Sequence, residues 1–204
     1  MDFRLIYQGP LASNGTAREK HAIRKALHPQ LLELWKVDPH LRRWLDAGTA
    51  PAGPDIPAAI AGQKLMSRVE HIARQYNRAP FNFVPLIQEE LGTACSWDIL
   101  FLRREAPGGI VQGGDIDNRL KTLFDGLKTP RNLDETGKAN PTDGELPFFF
   151  TLVADDSLIH GLRVETARLL EPQGMQSPTD VKLIIHVKTK IVNYENSYLD
   201  MNFQ

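Results

Sequence analysis

Along the chain the spacing of apolar residues switches between a period of two and a period near 3.6, and the switches mark out its elements. Residues 2–8 (DFRLIYQ) read as a short strand, stopped by Gly9-Pro10 and the turn-rich ASNG at 12–15. Thr16 is a fitting N-cap for a helix over 17–36, whose apolar positions are Ala22, Ile23, Leu27, Leu31, Leu34 and Trp35. Pro29 falls inside that helix and is expected to kink or divide it. Residues 37–63, poorly patterned and rich in Ala, Gly and Pro, predict a surface excursion, followed by a helix around 64–76. Two strands are expected at 81–87 (FNFVPLI) and 96–104 (SWDILFLRR), joined as a hairpin across EELGTA. A strongly amphipathic helix follows over about 117–128, with Ile116, Leu120, Leu123, Phe124 and Leu127 on its apolar side. Residues 129–146 are polar and turn-rich, which predicts a long, partly disordered loop. The run PFFFTLVADDSLI then supplies core phenylalanines and ends in Asp155-Asp156. Closing strands are expected at 161–170 and 181–192. In the second, Val181, Leu183, Ile185, Val187 and Ile191 alternate with Lys182, His186, Lys188 and Lys190.

Composition narrows the setting without choosing a function. A chain of 204 residues suffices for one sizeable domain, 1–204. The single cysteine, Cys95, excludes an intramolecular disulfide and a cysteine-rich zinc site; it fits a reducing, intracellular compartment as a small buried filler. The N-terminus carries an acid at position 2 and lacks the apolar core of a secretory signal. No run approaches the roughly 20 apolar residues of a membrane span. A soluble, cytoplasmic protein is therefore expected, with no membrane partner. A net charge of −1 counts against indiscriminate coating of nucleic acid, because such binding scales with the phosphates that Lys and Arg neutralise. It does not exclude a nuclease, whose acidic centre offsets a basic rim in the total.

Chemistry is concentrated in GGDIDNRLKTLFDGL, residues 113–127. Asp115 and Asp117 lie two residues apart at the mouth of the amphipathic helix, and Lys121 comes one turn later. Hard oxygen ligands of this kind bind divalent ions. Such ions offset charge on a scissile phosphate and lower the pKa of bound water. A third acid from another element, such as Asp155 or Asp156, would complete a ligand set, with Lys121 at a phosphate or leaving oxygen. Each part has a structural reading as well. Asp115 or Asp117 could cap the helix, Asp117–Lys121 could be an ordinary surface pair, and Asp155-Asp156 could form a turn. A helix needs only one cap, so these readings leave the glycine-rich approach and the second acidic pair unexplained.

DIDNRLKTLFDGL followed by DDSLI resembles the signature of RusA-type Holliday-junction resolvases, D-x-D-N-x-x-K-x-x-x-D-(A/G)-L and then D-D-(S/A)-x-(V/I). The opening strand, the GPLASNG turn and the two closing strands match more loosely. The resemblance implies an α+β fold, a mixed β-sheet flanked by helices, assembled as a homodimer with two active sites for a four-way DNA junction. It also implies Mg2+ (or Mn2+) held by Asp115, Asp117 and Asp156, with Lys121 as the catalytic lysine; Asp125 and Asp155 match further motif positions. Against a compact RusA, this chain carries an insertion over about 37–93 and the polar loop at about 129–146. The expected activity is thus hydrolysis of phosphodiester bonds in branched DNA, in recombination or repair.

Candidate DNA contacts are Arg103 and Arg104 beside the glycine loop and Arg119 on the helix; Arg18, Lys20, Arg24 and Lys25, or the lysines of the last strand, are further basic groups. His160 follows the acidic pair and is weighed as a proton shuttle against an ordinary surface histidine. Two rival functions stay open: a non-catalytic, structure-specific DNA-binding protein of the same fold, and a D-x-D metal-dependent phosphatase or transferase.

Overall fold

The computed structural model describes residues 1–46, 48, 62–104, 116–170 and 179–192. Strand β1 (Asp2–Pro10) leads through a turn into helix α1 (Ala17–Val37). Thr16 and Glu19 form a reciprocal capping box at the start of α1, which supplies partners for two otherwise unpaired amides. Pro29 does not divide this helix. It is exposed, so the carbonyl it leaves without a partner can be hydrated. Ile23 and Leu27 before it, and Leu31 and Trp35 after it, are all buried. At ~1.5–3 kcal/mol each, those four side chains outweigh the ~3 kcal/mol a helix-interior proline costs.

Two short helices follow, α2 (Pro39–Leu45) and α3 (Arg68–Gln75). The second begins four residues later than the sequence pattern suggests, because Ser67 and Glu70 close a capping box there. Next come β2 (Asn77–Arg78), β3 (Phe81–Ile87) and β4 (Thr93–Arg103). β3 and β4 do not form the expected hairpin. β3 pairs with β2 and, in parallel, with β5 (Phe149–Val153), whereas β4 belongs to another sheet. The near-continuous burial of FNFVPLI suits a strand covered on both faces rather than one arm of a half-exposed hairpin.

Helix α4 (Ile116–Leu127) precedes β5, and β6 (Ile159–Arg168) and β7 (Asp180–Ile191) close the chain. The fold is α+β. A mixed four-stranded sheet has the order β1-β7-β4-β6, antiparallel except for the parallel β4–β6 pair. A three-stranded sheet has the order β2-β3-β5. Alternation in β7 buries Val181, Leu183, Ile185 and Val187, which share one core with Trp97, Ile99, Leu123, Leu127 and the apolar face of α1. No helix among the described residues is long and apolar enough to cross a membrane.

The 129–146 segment is built, not disordered. It contains 3-10 turns at Leu133–Thr136 and Asp143–Glu145, and Gly137 takes a left-handed conformation (φ 68°) beside Arg18. Two tertiary anchors that local composition cannot reveal hold it. The buried Arg24 guanidinium donates to the carbonyl of Glu135, and the buried Glu145 carboxylate pairs with Lys25 at 2.9 Å.

Candidate active site

α4 carries most of the candidate residues, and its direction decides where they stand. Near its start, the Arg119 guanidinium donates to the carbonyls of Leu11 and Thr179, just beyond the ends of β1 and β7. That is the end of the sheet where Arg103 of β4 lies opposite Val181. Past its other end, Lys128 bridges to Val153 of β5, and Thr129 donates its N–H to the Val153 carbonyl. Cys95, whose register partner is Ile159, marks the same end on β4. The helix therefore runs the length of the sheet. Gly126 permits its close approach to α1, since a Cβ there would lie 2.8 Å from Ile23 Cγ2.

Turning ~100° per residue, Asp117, Lys121, Asp125 and Lys128 fall within about 80° of arc on one flank. Asp117 and Lys121 are exposed. The Asp117 carboxylate accepts only the neighbouring Asn118 N–H, and neither residue has an ion-pair partner among the described residues. The lower half of the stripe is paired instead. Asp125 binds Lys20 at 2.7 Å and Lys128 at 2.9 Å, and Lys128 reaches Asp156 at 3.5 Å. Beside it, Arg131 lies 3.5 Å from Asp155.

Electrostatics follow this geometry. Burial pushes the Asp125 carboxyl up, but the Lys20 and Lys128 ammonium groups more than offset this and hold it below the usual carboxylate range. Lys128 is the mirror case: burial disfavours its charge, and Asp125 and Asp156 raise it above the ordinary lysine value. Asp155 is brought down to about 2, chiefly by the Ser157 backbone N–H that its carboxylate caps, with Arg131 assisting. All three are firmly charged at neutral pH.

The predicted site residues thus divide between the two ends of α4. Asp115 lies outside the described residues. Asp117 stands at the N-terminal end, and Asp156 reaches the Lys128 Nζ, which also contacts Asp125, eight residues or ~12 Å beyond Asp117 along the axis. Magnesium holds its oxygens at ~2.0–2.1 Å, so two carboxylates on one ion bring their oxygens within ~4 Å. The all-oxygen donor set suits such an ion. The arrangement within one chain does not bring Asp117 and Asp156 onto it, and no group of three or more His, Cys, Asp or Glu among the described residues could hold a metal.

Of the expected DNA contacts, Arg104 is exposed and Arg103 half-buried at the end of β4. Arg119 is not a surface residue: it is 1% exposed, lies over the Phe101 ring and is spent on backbone carbonyls. Arg24 is likewise buried, donating to the Asp125, Lys128 and Glu135 carbonyls. His160 is exposed at the start of β6. Sequence reasoning missed Lys128, the cation held between Asp125 and Asp156. Its signal was available, since it falls on the flank of Asp117 and Lys121. Comparison with known proteins finds no match among family models, curated proteins or solved structures.

Proposed function

We propose that this chain is a magnesium-dependent endonuclease that hydrolyses phosphodiester bonds in branched DNA, acting as a homodimer in recombination or repair. The observation that carries the reading is the exposed Asp117–Lys121 step. Every other charge on the α4 stripe is paired within the chain, while this acid and this ammonium face solvent at the D-x-D end. A carboxylate with no cation, beside a lysine with no anion, among the described residues suits a ligand that brings both, as a metal-bound phosphodiester does.

Asp115, Asp117 and Asp156 would hold the ion. When bound, magnesium supplies charge neutralisation at the scissile phosphate. Because Asp117 and Asp156 occupy opposite ends of α4, the set closes between two chains: Asp117 of one copy beside Asp156 of the other. Lys121 contacts a non-bridging phosphate oxygen or the leaving oxygen. Asp125 is a positioning residue that holds the Lys128 ammonium against Asp156.

The test is cleavage of a synthetic four-way junction by wild type and Asp117→Asn in magnesium. The variant is expected to keep its circular dichroism spectrum and lose cleavage. A variant that cuts as fast as wild type would sink the assignment.

A further inference from the structure

We infer that the open edge of β6 is an interface, and that its partner is β6 of a second copy of this chain, paired antiparallel about Val164. The four-stranded sheet has two edges. β1 is capped at its middle, where Gln30 of α1 accepts from the Ile6 N–H and donates to the Ile6 carbonyl. β6 has β4 on one side and, among the described residues, nothing on the other. The Leu169 N–H donates to the Arg103 carbonyl at 2.7 Å, which continues the β4 ladder. Main-chain groups alternate sides along a strand, so Leu162, Val164, Thr166 and Arg168 present theirs to the open edge.

Monomeric proteins guard such edges with proline, lysine, strong bulges or very short strands. β6 is ten residues long, its sequence IHGLRVETAR contains neither proline nor lysine, and its register irregularity lies at its very start, between Ile159 and Gly161. Leu162 on this strand is 48% exposed.

Charge selects the partner. Arg163 lies 3.5 Å from Asp98 and 3.4 Å from Glu165, so Arg163 and Glu165 share the sheet face that carries Asp98. Antiparallel pairing centred on Val164 sets Arg163 opposite the partner's Glu165, and Glu165 opposite the partner's Arg163. Two cross-strand ion pairs then flank the two-fold axis. Val164 meets the partner's Val164, and Leu162 meets the partner's Thr166, each pair exchanging main-chain hydrogen bonds. An unrelated strand would need this charge order by chance; a second copy has it by symmetry. The pairing also bears on the site, resting there on the nuclease reading. It carries the partner's Ile159, with the partner's Asp156 just before it, to Leu169 of the first copy, at the end of the sheet where α4 begins.

Sedimentation equilibrium without metal or DNA tests the interface separately from the nuclease reading. Wild type is expected at twice the 22.9 kDa chain mass. Arg163→Glu alone and Glu165→Arg alone each place like charges opposite one another, so each should weaken association by about tenfold or more. Mixing those two variants makes the opposed charges complementary and should restore dimers, a rescue that a purely intrachain role cannot produce. Val164→Pro removes an N–H aimed at the open edge while sparing the β4 ladder, and is expected to be monomeric. A monomeric wild type at ~100 μM, or single charge reversals that dimerise as wild type does, would overturn the inference.

Discussion

Acidification should destabilise the protein through His21, a residue with no part in the proposed chemistry. Its ring is 2% exposed, stacked on Phe149 at 5.6 Å and edge-on to Phe81 at 5.2 Å. Neither ring nitrogen has a hydrogen-bond partner. Burial, with the nearby Arg24 guanidinium adding repulsion, pushes its pKa from the usual 6.5 down to about 4. Between those values the unfolded chain carries a proton that the folded chain refuses, so folding stability falls as pH drops through the mid-sixes and levels off below about 4. The full gap corresponds to about 3 kcal/mol, and roughly 2 kcal/mol of it appears between about pH 8 and about pH 5. Urea unfolding at those two pH values, at fixed protein concentration, would measure the loss in wild type and in His21→Leu. The carboxylates whose pKa values are depressed, Asp125, Glu145 and Asp155 among them, act in both proteins and cancel in the comparison. Wild type should lose about 2 kcal/mol more than the variant. Equal losses would refute the claim that this buried imidazole is held neutral.

Three further outcomes follow from the geometry. Arg24→Met leaves the Asp125, Lys128 and Glu135 carbonyls without their buried donor and should cost about 3 kcal/mol or more in urea unfolding; a loss under ~1 kcal/mol would show that water replaces the guanidinium. Gly126→Ala drives a methyl into Ile23 and should cost about 1–3 kcal/mol; a neutral variant would mean that α1 and α4 part freely. Asp117→Asn and Asp156→Asn, each inactive alone, should regain roughly a quarter of wild-type strand cleavage after equimolar subunit exchange, because half the dimers are mixed and each mixed dimer holds one intact site. No recovery would place both acids in a site made by one chain.

Much of the fold is legible in local patterns because those patterns answer to local physics. The alternation in β7, the capping signals at Thr16 and Ser67 and the apolar stripe of α4 each concern neighbours within a few residues. The failures were all long-range. β3 and β4 are adjacent in sequence with a turn between them, yet β3 joins β5 across more than sixty residues because both of its faces are buried. Polar composition suggested disorder over 129–146, but the segment is held by Arg24 and Lys25 from a helix more than a hundred residues away. Arg119 looked like a surface cation on an exposed turn of α4, and only the ends of β1 and β7 turned it into a buried carbonyl donor.

For the candidate site, the sequence by itself determined which groups exist and how they are spaced along the helix: Asp117, Lys121, Asp125 and Lys128 share a flank because the helical repeat requires it. The side of the fold on which Asp156 stands was outside its reach. That depends on where β5 delivers the chain after a long excursion, and β5 delivers it to the C-terminal end of α4, against Lys128. Asp117 and Asp156, which read as parts of one ligand set in sequence, thus stand at different levels of one helix in space. The physical reason is that periodicity sets the direction of each side chain, whereas only packing sets the distance between elements.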